Sequence, residues 1–204
     1  MLRGKNFICL SKYKCNEYGK GVPQLSNKSK ESSNLWTIKG LAANGPDPNL
    51  KEKLMLFGQF IGDWEIEDRY TKADGTVVNM KGEVHFRWIL DGKAIQDVWM
   101  GCPEGSQKII IFGTTIRFYN PKIDAWHSTW ISPIKNIVQT FIARKVNEDI
   151  ILEGKTEEGN PLKWIFSQIT PNSFRWHSEE TQDKGQTWKI TEEMQIRKVG
   201  LNTK

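Results

Sequence analysis

Ten consecutive segments of alternating apolar and polar residues run from Asp63 to Lys198, each separated from the next by a few residues of turn chemistry. Alternation with a period of two sends successive side chains to opposite faces of a strand, so the segments 63–72, 76–90, 93–101, 108–119, 125–132, 137–145, 150–155, 161–169, 174–182 and 187–198 read as strands. The separators support this reading. Asp74-Gly75 and Asp91-Gly92 tolerate positive φ, and Asn120-Pro121, Glu158-Gly159-Asn160 and Asp183-Lys184-Gly185 are turn formers of the same kind. Parallel neighbours need a crossover of a dozen or so residues, and none of these connections is that long. The predicted fold is therefore all-β, an up-and-down antiparallel β-barrel of about ten strands. Closing the sheet leaves no edge unpaired, and ten strands leave room for an internal cavity.

Ahead of the strands, Asp47-Pro48 has the form of an N-cap followed by proline at the first helical position, and Leu50, Leu54 and Phe57 recur at helical spacing. A short helix is expected to run to about Phe60 and lie across one barrel end. Residues 1–46 are rich in Lys, Ser, Asn and Gly without sustained periodicity. The expected organisation is a basic disordered tail over 1–46, a barrel domain over 47–198 and a short tail over 199–204. The tail carries eight Lys or Arg against Glu17 and Glu31, a surplus of six that exceeds the whole chain's +5 and leaves the remainder at −1. A nearly neutral barrel has no phosphate-binding field of its own, which argues against nucleic acid as a partner. Cys9, Cys15 and Cys102 are odd in number and lack CxxC spacing, fitting a reducing compartment better than a disulfide framework or a zinc site. No apolar run approaches the ~18 residues of a membrane span. A cytoplasmic location is expected; the alternative is an organelle, with the basic start Met1-Leu2-Arg3-Gly4-Lys5 acting as a transit segment.

Eight of the nine tryptophans fall in the strand region. Trp126 and Trp130, with Ser128 between them, share one face of a strand, and Trp88 and Trp99 flank the Asp91-Gly92 hairpin. These indoles either line a pocket for a flat or apolar ligand or fill the barrel and coat its outside. Asp97 and Arg117 each interrupt an apolar run. Pointing inward they form a buried ion pair or a hook for a ligand carboxylate, and pointing outward they are solvated residues. Glu83, His85, His127 and His177 are the one metal-like set, with Glu83 and His85 on one strand face, but the remainder are scattered and no metal is expected. Asp97, Glu179 and Glu193 are the carboxylates near aromatic residues that acid–base catalysis in a cavity would use. GxSxG, P-loop and GxGxxG signatures are missing.

Gly62-x-Trp64 heading the first strand after a short helix, with Arg197 near the end of the last, resembles the calycin superfamily of lipocalins and fatty-acid-binding proteins. The run from Phe86-Arg87-Trp88 to Asp97-Val98-Trp99 is similar to the lipocalin-like DUF1579 group. So are Arg117-Phe118-Tyr119-Asn120-Pro121 leading to Asp124-Ala125-Trp126, and Phe174-Arg175-Trp176 continuing to Glu193-Met194. The resemblance covers residues 50–198. It implies a calycin-like barrel closed at one end by Trp64 and Arg197 in cation–π contact, and an Arg117 that holds a ligand carboxylate as in the fatty-acid-binding relatives. The expected function is binding of a small, largely apolar or aromatic molecule by Trp88, Trp99, Trp126 and Trp130, oriented by Arg117 with Asp97 or His127, without a cofactor. The alternatives are a cofactor-free isomerase, cyclase or hydrolase using a cavity carboxylate or histidine, and a protein-interaction module. A homodimer through an exposed strand stays open.

Overall fold

Residues 40–72, 74–103 and 108–200 are described by a computed structural model. Ten strands follow one another in it: β1 (Gly62–Thr71), β2 (Val77–Ile89), β3 (Ala94–Pro103), β4 (Ile110–Asn120), β5 (Ala125–Ser132), β6 (Ile137–Val146), β7 (Asp149–Lys155), β8 (Pro161–Ser167), β9 (Ser173–Glu180) and β10 (Lys189–Lys198). Every neighbouring pair is antiparallel, and β1 pairs with both β2 and β10, so the meander closes on itself. The expected all-β up-and-down barrel is what the chain forms.

Most strand ends lie within one or two residues of the alternation pattern, and two of the shifts have a clear local cause. β8 stops at Ser167 because Gln168 takes a left-handed φ of 52° and turns the chain. β10 starts at Lys189 because Asp183 captures the preceding residues, accepting from the Thr187 amide at 2.8 Å and the Thr187 hydroxyl at 2.6 Å. An aspartate bonding backbone ahead of it competes with the ladder in this way.

The chain enters the barrel through a 3-10 turn, Pro48–Leu50, capped by Asp47, whose carboxylate accepts from the Asn49 amide at 2.9 Å. Helix α1 (Lys51–Gly58) follows. Leu54 and Phe57, together with Phe60 just beyond the helix, are at most 1% exposed and form a stopper in the end where β1 begins. Ordered contacts start earlier than residue 47. The Ala43 amide donates to the Trp88 carbonyl at 2.8 Å and the Leu90 amide to the Gly40 carbonyl at 3.2 Å, so residues 40–46 strap across the β2–β3 turn. Gly92, at a φ of 77°, is required there twice over, since a Cβ would also run into the Gly45 carbonyl. Residues 40–46, the last of the expected tail, thus touch the barrel. Residues 1–39 and 201–204, which hold most of the expected tails, lie outside the described residues.

The closing pair expected from Trp64 and Arg197 does not form. Register places Trp64 opposite Lys198 and Arg197 opposite Glu65, so Arg197 takes the outward parity of β10. Its side chain is 69% exposed and its nearest acid is Glu67, at 3.9 Å. Trp64 is buried, donates its indole N–H to the Phe60 carbonyl at 2.6 Å and meets Phe174 edge-on at 5.0 Å. The cation over its ring is Lys198, 5.6 Å from the centroid. Among the described residues no helix is long and apolar enough to cross a membrane.

Candidate ligand cavity

Strand parity decides what faces the interior. On β1 the inward set is Trp64, Ile66 and Asp68; on β8 it is Leu162, Trp164 and Phe166; on β10 it is Glu192, Met194 and Ile196. Near α1 the inward side chains are large aromatics that fill the barrel. Phe57 meets Trp126 at 5.0 Å and Phe166 at 5.8 Å, and Phe60 meets Phe174 at 4.6 Å. Farther from the helix the rings stand apart, leaving a cavity of about 240 Å³. Its rim includes Lys135 in the β5–β6 turn and Glu180, Thr191 and Glu192 from the β9–β10 end, all at the end opposite α1.

Four tryptophans wall this cavity: Trp99, Trp130, Trp164 and Trp176. Trp164 is the hub, edge-on to Trp130 at 6.2 Å and to Trp176 at 5.3 Å, and tilted against Phe141 at 4.3 Å. Trp99 stacks on Phe112 at 4.6 Å. Trp130 has room because position 113 on β4 is glycine; a Cβ there would stand 2.7 Å from its indole.

The floor is ionic. Asp97 and Arg117 lie on adjacent strands β3 and β4, both turned inward and both at most 4% exposed. Arg117 Nη1 donates to Asp97 Oδ2. The guanidinium carbon lies 5.2 Å from the ring centre of Phe57, 5.8 Å from that of Phe86 and 5.7 Å from that of Phe166, an apolar surround that makes each charge dependent on the other. Arg117 Nε and the Trp99 indole N–H are buried without a hydrogen-bond partner among the described residues. Two donors are thus left unmatched on the cavity wall and floor, where a ligand acceptor would satisfy them.

Acids gather toward the mouth: Glu180 and Glu192 line the cavity, and Asp68 lies diagonal to Glu192 without itself lining it. Asp68 is 3% exposed, and its carboxyl is pushed up to about 8, chiefly by burial and then by the charge of Glu192, against a weaker pull from Lys135 and the Arg69 amide. Burial likewise raises Glu192, opposed by Lys135, and raises Glu180, with Glu158 adding to the effect and Lys189 opposing it.

Of the residues expected to bind a ligand, Arg117, Asp97, Trp99 and Trp130 line the cavity. Three do not. Trp126 and Trp88 face inward but lie below the floor, Trp126 against Phe57 and Tyr119 and Trp88 against the α1 glycine, Gly58. His127 has the opposite parity to Trp126 and points outward, where it stacks on Phe118 at 5.0 Å and meets the Asn120 side chain at 3.1 Å. Glu179 and Glu193 are also outside. They flank an outer-face network in which Arg175 donates to Glu193 at 2.6 Å and His177 lies 2.8 Å from Arg175 and 3.2 Å from Glu179. Burial, with Arg175 adding, lowers the His177 value. His85 sits elsewhere again, 2.6 Å from Asp63 and 3.1 Å from Glu83. Among the described residues no three His, Cys, Asp or Glu side chains are grouped to hold a metal.

Sequence reasoning passed over Trp164, Trp176, Asp68, Glu180, Glu192 and Lys135. Parity offered a signal for some of them: Asp68 continues Trp64 and Ile66, and Glu192 continues Ile196 and Met194. Lys135 sits in a turn and carries no such signal.

No family model matches the chain, and no curated protein matches it. Solved structures that share its fold include two from quite different sources. The S-type phycobiliprotein lyase CPES from Guillardia theta superposes with a TM-score of 0.51 at 10% identity, over 71% of this chain and 90% of that one. Rv2717c from M. tuberculosis gives 0.53 at 10% identity, over 75% of this chain and 98% of that one. At such identity the likeness concerns the fold, a lipocalin-like barrel.

Proposed function

We propose that this barrel binds a small, mainly apolar molecule with a flat aromatic body in the cavity above Arg117. One observation carries the reading: the interior is packed solid with aromatics near α1 and then opens into about 240 Å³ walled by four tryptophans. Protein interiors are normally filled to crystal-like density, so a hollow of this size open at one end holds indole faces against water that a ligand would cover. The indoles offer faces and edges for offset or T-shaped contact, and the unmatched Trp99 N–H and Arg117 Nε give polar direction at the wall and floor. The spacing resemblance to the DUF1579 group belongs with this reading.

Binding is tested by calorimetric titration with 1-naphthylmethanol, a neutral bicyclic aromatic. Saturable one-to-one binding is expected, weakened roughly tenfold in Trp176→Ala by loss of ring contact and buried area. Heats no larger than dilution at millimolar probe would overturn the reading.

A further inference from the structure

We propose that the ligand's outer end is cationic, an ammonium or amidinium carried on the aromatic body and held at the cavity mouth by Asp68 and Glu192. The inference rests on the cavity reading above and names the chemistry of the molecule it takes.

Asp68 is the first observation. It follows Ile66 on the inward face of β1 and sits in register with Met80 on β2 and Met194 on β10. Directly opposed same-face neighbours lie about 5 Å apart, and thioethers donate no hydrogen bond. Neither Asp68 oxygen meets a donor at good geometry among the described residues. A buried carboxyl without partners costs free energy, and the chain gains nothing structural from it that asparagine or leucine would not supply.

The second observation is its company. Glu192 is diagonal to Asp68 across the β1–β10 pair and lines the cavity, as does Glu180 from β9. Lys135 is the cation on this rim, with its Nζ 5.9 Å from the Trp99 ring. Glu180 and Glu192 on the rim, with Asp68 buried beside them, outnumber the two bases that act on them, Lys135 and Lys189, and leave the mouth short of positive charge. In the unliganded barrel burial holds these carboxyls toward their neutral forms, and Glu158 and Lys189 act on Glu180 from the adjoining segments. A cationic head entering between Asp68 and Glu192 takes the place of the bound protons, pairs with both carboxylates and leaves the aromatic body against Trp164 and Trp176. Indole faces attract such a cation as well.

Three isosteric probes separate the possibilities: 1-naphthylmethylamine, 1-naphthylmethanol and 1-naphthoate, titrated calorimetrically near pH 8. The amine is expected to bind roughly tenfold or more tighter than the alcohol, and the carboxylate weakest. In Asp68→Asn combined with Glu192→Gln the ratio of amine to alcohol affinity, both measured on the same variant, should fall to about one; a superimposable near-ultraviolet circular dichroism spectrum shows that the variant is folded. If the alcohol binds but the amine gains nothing over it, or if the advantage survives both substitutions, the cationic head is wrong and the cavity reading stands. If none of the three binds the unmodified protein, the cavity reading falls and this inference with it.

Discussion

Replacing Asp97 by asparagine should cost more stability than its single hydrogen bond suggests, because the substitution strands Arg117. The two side chains are 5% and 3% exposed, and Arg117 Nη1 has Asp97 as its charged partner. Three aromatic rings surround the guanidinium within 5.8 Å, so water can stand in for the lost carboxylate only from the cavity side. A pair of unit charges ~4 Å apart at an effective dielectric near 20 attracts by about 4 kcal/mol. Breaking a buried pair from one side costs about 3–5 kcal/mol, since the remaining charge stays desolvated. At roughly 2–4 °C per kcal/mol for a domain of this size, the melting temperature should fall by roughly 6–20 °C. Adding Arg117→Met to Asp97→Asn removes the stranded charge and should recover most of that loss. Urea denaturation at pH 7 of the four members of the cycle measures both quantities. A single-mutant loss below about 1 kcal/mol, or two losses that simply add, would refute the reasoning, because either shows that the charges do not depend on each other.

Asp68 gives a pH test whose sign is opposite to that of most carboxylates. Its folded value of about 8 lies above its ordinary 3.8, so between those values the folded state holds the proton and the unfolded state does not. Its contribution is full below pH 4 and is lost as pH rises toward 8, with an upper bound of about 6 kcal/mol that coupling to Glu192 divides between the two. Asp68→Asn should flatten the stability profile over that range in urea titrations; an unchanged profile would show that Asp68 is ionised in the folded protein. Gly58→Ala places a Cβ 2.7 Å from Trp88 Cζ2 and 2.9 Å from the Met55 sulfur, and overpacking of this kind should cost about 1–3 kcal/mol despite alanine's better helix propensity, as thermal melts will show. Trp64→Ala should cost about 3–5 kcal/mol while Arg197→Ala stays within about 0.5 kcal/mol, and equal losses would reinstate the pair that the register rules out.

The barrel itself was legible because alternation and turn chemistry are local signals that report directly on strands. The Asp91-Gly92 and Asp74-Gly75 turns fall where the sequence places them, and short connections leave the meander little freedom. The face of each strand was less so. Alternation says that Trp126, Ser128 and Trp130 share a face, but which face is inward depends on the neighbouring strands, and height along the barrel depends on the stagger of the ladder. Trp126 and Trp130 share a face yet end up on opposite sides of the floor, one in the stopper and one in the cavity wall. Arg197 shows the same limit. A motif at the right place in the last strand is one residue off the parity that would bring it to Trp64, and Lys198 takes the position instead. Asp97 and Arg117 were readable because a charge inside an apolar run must be either paired or wet, and adjacent strands made pairing possible.

The join between β1 and β10 sets residues 64–70 against residues 192–198, so the first and last strands meet only after the eight strands between them have been made. During synthesis the sheet must wait, open, until Lys189–Lys198 has left the ribosome. A chain truncated before Lys189 would keep nine strands and expose two bare ladders, one along β1 and one along β9, each a template for another copy. The ten residues of β10 thus act as the seam that keeps nascent barrels from joining one another.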